Sequence, residues 1–275
     1  MKPREYASPA WAGEDLAGCT LFVYPEQGYG DAIQFARYLP MLVAKGAKVA
    51  FEAPAPLRRL FEAGGFVGTL VGAGEAPLGF DCHAALLDLP GLLGADAATI
   101  PPPGGVLGVP EDLVQKWAAR IGAPDGLRVG IVWAGRPTHV NDRNRSLAPD
   151  ALLPLAEVSG LRLYSLQLGH DGAAEAAFGG AVADLAPHIE DFADMTAAML
   201  ALDLVISVDT SAAHLAGALG RPVWTLLPFT PDWRWQLERD DSPWYPAMRL
   251  FRQQRAGDWP DVIARVADAL AQSVE

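Results

Sequence analysis

Short β-branched and aromatic runs, each closed by Gly, Pro or Asp, alternate along this chain with longer segments of helical period. A strand, a crossover helix and a second strand make a parallel unit, so this alternation predicts an α/β protein built on parallel sheets. In the first half the strand candidates are Thr20 to Tyr24, Lys48 to Glu52, Val67 to Val71 and His83 to Leu87. Between the first two, Ile33, Phe35, Ala36, Leu39, Leu42 and Val43 space a helix over Asp31 to Ala44. After a Pro- and Gly-rich stretch from Ile100 to Val109, a helix is expected over Glu111 to Ile121. The second half repeats the pattern, with strands at Arg128 to Trp133, Leu161 to Gln167, Val182 to Leu185, Leu204 to Val208 and Val223 to Leu227. Helices are expected at Pro149 to Val158, Phe192 to Leu202, Ser211 to Leu219 and, at the end, Trp259 to Ser273.

At 275 residues the chain exceeds what one hydrophobic core usually organises. The Pro/Gly-rich stretch and the helix after it suggest a boundary near 108 to 126, hence domains at 1–110 and 111–275. Lys and Arg total 21 against 33 Asp and Glu, a net charge of −12 that argues against binding nucleic acid by phosphate neutralisation. Cys19 and Cys82 are too few for a disulfide framework or a zinc site, which fits reduced thiols in a cytoplasmic protein. The N-terminal residues, with Lys2, Arg4, Glu5 and two prolines, lack an apolar signal core, and no later stretch is long and apolar enough to predict a transmembrane segment.

In parallel sheets ligands bind beyond the carboxyl ends of the strands, so the loops that follow strands carry the functional expectations. The first is Pro25 to Asp31. Gly28 and Gly30 invite a dinucleotide reading, with Glu52 near the place of a ribose-binding acid, but Ile33 occupies the third glycine position. Asp31 at a helix start repels a pyrophosphate. It is suited either to capping the helix or to acting as a general base, assisted by Glu26. The second loop, Trp133 to Ser146, holds Arg136, Arg143 and Arg145 with His139 against Asp142, a set matched to phosphate oxygens although solvated arginines are the simpler alternative.

The third loop, Ser207 to Ala216, ends a hydrophobic strand and opens an Ala-rich helix. Backbone N–H groups near Ser211 and Ala212, with the Thr210 and Ser211 hydroxyls, can hold a diphosphate; His214 is either part of that site or a buried structural residue. The aromatic stretch Pro231 to Pro246 offers stacking on a base, though packing at an interdomain hinge is the plainer account. No P-loop, serine-hydrolase elbow or zinc-protease helix is present.

Gly30-Asp31 before an apolar helix, Arg145-Ser146-Leu147, and the run Val208-Asp209-Thr210-Ser211-Ala212-Ala213-His214 through Arg221-Pro222 resemble the heptosyltransferase family of GT-B glycosyltransferases. Glu26 to Asp31, Ile33 to Tyr38, Asp232-Trp233-Arg234-Trp235 and Leu250 to Gln253 look still more like the transferase-like domain at the C-terminus of bacterial tetratricopeptide-repeat proteins. The resemblance implies a GT-B-like fold of two Rossmann-like parallel-sheet domains facing across a cleft. The first would be acceptor-side, with Gln27, Gly28 and Gly30 near the acceptor; the second would bind a nucleotide-diphosphate sugar. It implies Asp31 as base, a cation near Arg145 on the diphosphate, and Asp209, Thr210, Ser211 and His214 around the phosphates or sugar. Ser211 stands where the family usually has Gly, which leaves the donated sugar open.

The expected function is therefore metal-independent, inverting glycosyl transfer without a resident cofactor. The acceptor would be a saccharide, a lipid-linked saccharide or a protein. A nucleotide-sugar epimerase or hydrolase, a non-catalytic module that binds a nucleotide sugar or a protein, and a nicotinamide oxidoreductase are the alternatives.

Overall fold

β1 (Thr20–Tyr24) is buried from Leu21 to Tyr24, as a strand flanked by parallel neighbours and covered on both faces must be. In the computed structural model, which describes residues 4–66, 68–75, 77, 79–123 and 126–274, it pairs in parallel with β2 (Lys48–Glu52) and, on its other side, with β4 (Cys82–Ala85). β3 (Thr69–Val71) adds to β2, so the first sheet has the order β3-β2-β1-β4. Four helices punctuate it: α1 (Tyr29–Phe35), α2 (Leu39–Ala44), α3 (Arg58–Ala63) and α4 (Leu89–Leu92).

The single helix expected over Asp31 to Ala44 is divided. A 3-10 turn, Ala36–Tyr38, separates α1 from α2, which carries Pro40 in its first turn. Proline has no N–H and its ring crowds the carbonyl four residues back, so an uninterrupted α-helix through this point is disfavoured. The fourth strand is shorter than the sequence suggests because a 3-10 turn, Leu86–Asp88, and Leu89-Pro90 of α4 follow Ala85. Val67 lies outside the described residues, and β3 starts at Thr69. Cys19 and Cys82 are free thiols.

One face of this sheet has an unusual cover. Phe22, Tyr24, Ala50, Val71 and Ala85 form a buried cluster packed against Tyr6 and Phe80. Tyr6 comes from the segment before β1, which pairs beside β4: Trp11 N–H donates to His83 C=O (2.8 Å) and His83 N–H to Pro9 C=O (3.1 Å). Arg4 binds the buried Glu52 carboxylate and lies over the Tyr24 ring, 5.0 Å from its centroid. That pairing holds the Arg4 guanidinium above its usual range.

The Pro/Gly-rich stretch is held against its own unit. Val106 is buried, and Gly108 N–H donates to Leu60 C=O of α3 (3.0 Å). Gly64, just past α3, approaches this segment so closely that a Cβ there would lie 2.2 Å from the Val106 carbonyl oxygen.

The second sheet has six parallel strands in the order β10-β9-β8-β5-β6-β7. They are β5 (Leu127–Val132), β6 (Leu161–Ser165), β7 (Val182–Asp184), β8 (Leu204–Val208), β9 (Val223–Leu227) and β10 (Met248–Arg252). Its helices are α5 (Glu111–Ile121), α6 (Asp142–Arg145), α7 (Leu153–Ala156), α8 (Ala173–Phe178), α9 (Phe192–Leu200), α10 (Ser211–Ala218) and α11 (Trp259–Val274). Val129, Ile131, Ile206 and Val208 pack with Val262, Ile263, Val266 and Leu270 of α11 in one core, each buried aliphatic side chain contributing roughly 1.5–3 kcal/mol. Trp117 of α5 donates its indole N–H to the buried Asp194 carboxylate (2.8 Å), tying α5 to α9.

β10 has no counterpart among the strands expected from the sequence. It is the last strand of the sheet, its outer side meeting the 240–241 segment through the Leu250 N–H to the Asp240 carbonyl (2.7 Å), and Arg249 and Arg252 interrupt its apolar run and hide its period. By internal contacts the chain forms two units, residues 1–110 with 191–193, and 111–190 with 194–275. Among the described residues no helix is long and apolar enough to cross a membrane.

Because backbone atoms meet at Gly64, Gly64→Ala should destabilise the first unit by about 1–3 kcal/mol, read as a lowered chemical-denaturation midpoint at unchanged m-value. An unchanged midpoint would show that the 106–108 segment yields freely.

Candidate functional site

The loop after β1 presents Glu26, Gln27, Gly28 and Gly30 and leads into α1. Gly28 is the N-cap, and Asp31, in the first turn, accepts its backbone N–H (2.9 Å). The helix opens at Tyr29, two residues before the expected start, so Asp31 satisfies a terminal amide through its side chain. Capping is thus a role that Asp31 fills. Glu26 accepts the Leu87 N–H (3.2 Å), and burial, with smaller contributions from Asp88 and Asp31, pushes its pKa above the usual carboxylate range. Glu52, weighed as a ribose-binding acid, is instead taken by Arg4 and the Gly74 N–H (3.0 Å).

In the second unit, the loops after β5 and β8 meet. Arg145 donates through Nη1 to the Asp209 carbonyl (2.7 Å) and through Nε to Asp142 (3.4 Å). Asp142 also accepts Ser146 Oγ–H (2.9 Å), and Ser146 accepts the Gly135 N–H (2.9 Å), so a short chain of bonds aims Arg145 at the end of β8. Arg136 and Arg143 are exposed in the same loop. Thr210 is the N-cap of α10 without a side-chain bond to the helix; its hydroxyl lies 3.0 Å from Ser207 Oγ instead. The N-cap side chain therefore leaves the α10 terminus uncapped, with the Ser211 and Ala212 amides at its start. Such a terminus carries partial positive charge and suits an anion.

Behind this terminus sits a packed polar group. His214 is buried, its Nδ1 2.9 Å from the Tyr245 hydroxyl and its ring stacked on Trp235 at 5.2 Å. A Cβ on Gly217, one turn further along α10, would lie 2.5 Å from the Tyr245 ring, so the glycine is what lets this ring approach the helix. Burial pushes the Asp209 carboxyl up, against the opposing pull of the Trp235 indole and the Arg145 guanidinium. Of the aromatic stretch, Trp235, Trp244 and Tyr245 pack inside the second unit, whereas Trp233 is 63% exposed.

Gln167 was not singled out from the sequence, and Tyr245 was read only as part of the aromatic stretch, not as a partner of His214. Gln167 Oε1 accepts the Trp133 and Ala134 amides (2.9 and 2.8 Å), and its Nε2 donates to the Ala134 and Leu168 carbonyls (3.1 and 3.0 Å). The available signal was a buried amide at the end of a strand candidate. Among the described residues no group of three or more His, Cys, Asp or Glu side chains could hold a metal ion.

Residues 171–259, which include Asp209 to His214 and the aromatic stretch, match the family model of glycosyltransferase family 9 (heptosyltransferase). Over 94% of its length the chain is 31% identical to protein FlbA of Caulobacter vibrioides, and it spans 48% of that protein, about half the length of this curated relative. The fold is similar to that of the family 9 glycosyl transferase of Veillonella parvula, with a TM-score of 0.71 at 10% identity over 96% of this chain and 100% of that one. It is also similar to the ADP-heptose lps heptosyltransferase II of E. coli, with a TM-score of 0.63 at 15% identity over 92% and 99% of the two chains. The protein thus has the GT-B α/β fold of the heptosyltransferases, and its residues 171–259 carry the sequence pattern of glycosyltransferase family 9.

Proposed function

We propose that the protein is a glycosyltransferase that moves a sugar from a nucleotide-diphosphate donor to an acceptor hydroxyl, with inversion and without a metal ion. The observation that carries this reading is the bond from Arg145 to the Asp209 carbonyl, which sets a guanidinium beside the uncapped terminus of α10. The family match over residues 171–259, which include Asp209 and α10, supports it. Both groups favour negative charge, and a leaving diphosphate gains charge as the bond to the sugar breaks.

Asp31 is the base in this scheme. It takes the proton of the acceptor hydroxyl, the oxygen forms a bond to the anomeric carbon, and the carbon–oxygen bond to the diphosphate breaks, releasing a nucleoside diphosphate. Arg145, assisted by Arg143 and Arg136, and the amides of Ser211 and Ala212 hold the phosphates; Thr210 and Asp209 shape the loop, and His214 supports it from beneath. Gln27, Gly28 and Gly30 line the acceptor side. Reaction takes place in the cytoplasm, where nucleotide sugars are the donors.

In buffer containing EDTA, Asp31→Asn should lower the rate of sugar transfer by at least about 100-fold while leaving donor affinity unchanged. Undiminished transfer would overturn the base assignment. Arg145→Gln should weaken binding of ADP or UDP by about 10–100-fold in calorimetry. Equal affinities for variant and parent would remove Arg145 from the phosphate site.

A further inference from the structure

A cavity of about 920 Å³ opens in the first unit where the segment before β1 crosses the carboxyl ends of β1 and β4. That volume is in the range of roughly 300–1,000 Å³ typical of small-molecule sites. The crossing segment is held along its length: Arg4 by Glu52, Ser8 by the Phe80 carbonyl (2.7 Å), and Trp11 by the Glu14 carbonyl through its indole N–H (2.9 Å). It is therefore a fixed wall.

Of the rings that line the cavity, Tyr6 is half-buried and offers its surface, whereas Trp11 and Tyr24 are each 5% exposed and back it; Tyr6 stands 4.8 Å from the His83 ring and 5.7 Å from that of Tyr24. His83 is 8% exposed and its Nδ1 has no hydrogen-bond partner among the described residues. Of the charged lining groups, Arg4 is committed to Glu52, while Glu5 and Asp88 are exposed and join no ion pair among the described residues. Glu26, close enough to Asp88 and Asp31 to feel both, adds to the negative field at this end of the sheet.

Aromatic faces stack on the C–H faces of sugar rings, carboxylates accept their hydroxyl hydrogens, and unpaired carboxylates repel anions and attract amines. We propose that this cavity is a subsite for an uncharged or amine-bearing saccharide and rejects anionic sugars. Calling that saccharide the acceptor rests on the transferase reading; its binding here does not.

The test uses the full chain without nucleotide, and three disaccharides as probes in saturation-transfer NMR and calorimetry. N,N′-diacetylchitobiose and its free-amine form should bind, and digalacturonate should not. Gly91, on the cavity wall in α4, has open space where a side chain would start, so Gly91→Phe adds a ring at the wall without backbone collision and should raise both dissociation constants at least about tenfold. Asp88→Asn, at the exposed rim, should weaken the free-amine sugar more than the acetylated one, and it keeps the proposal testable if Gly91→Phe does not fold. Absence of binding by both chitobioses, preference for digalacturonate, unaltered affinity in a folded Gly91→Phe, or equal effects of Asp88→Asn on the two sugars would overturn it. Because no turnover is read, failure here is distinguishable from failure of Asp31→Asn to slow transfer.

Discussion

Parallel pairing governs this molecule. Each crossover returns the chain to the same end of its sheet, so every loop that leaves a strand's carboxyl end gathers at one rim. In the second sheet β5 and β8 are direct neighbours, although about seventy residues separate them in sequence, and their adjacency is what lets Arg145 reach the Asp209 carbonyl. The opposite rim does structural work. There Arg128 grips Asp203 through two guanidinium nitrogens (3.0 and 2.7 Å), and the pairing holds the Asp203 carboxyl below its usual range.

The two units spend their polar residues differently. In the second, side-chain amides fix loop backbones: Gln167 clamps the loop after β5, and Gln253 accepts the Phe229 and Gly257 amides at the carboxyl ends of β9 and β10. These bonds lower the freedom of loops that would have to be ordered on ligand binding. In the first unit an arginine and a tyrosine from the leading segment finish the sheet, with Arg4 neutralising Glu52 and Tyr6 covering Phe22 and Tyr24. The carboxylates left at that rim, Glu5 and Asp88, set the sign of the field there.

Much of the strand plan was legible because burial on both faces leaves a local record. β1, β2, β8 and β9 are short runs with apolar centres closed by turn formers, and their limits coincide with the sequence expectation. β10 was illegible for the converse reason, since Arg249 and Arg252 leave it no continuous apolar run. The 3-10 turn at Ala36–Tyr38 was concealed by a hydrophobic spacing that continues across Pro40 even though the hydrogen-bond pattern changes. The Asp209 to His214 segment stood out because small and hydroxyl residues at a strand-to-helix turn are a short-range pattern. Tyr245, 31 positions from His214, has no such local signature.

By itself the sequence determined the alternation of strands and helices, the acidic net charge, and which loops bear carboxylates, arginines and small residues, because these depend on neighbours within a few positions along the chain. Only the tertiary structure decided that Arg145 bonds to the Asp209 carbonyl, that Asp31 caps its own helix, and that Arg4 occupies Glu52. Each depends on strand order and on side chains brought together from distant positions. Strand order is selected by the burial of whole sheet faces, a property that no single stretch of residues records.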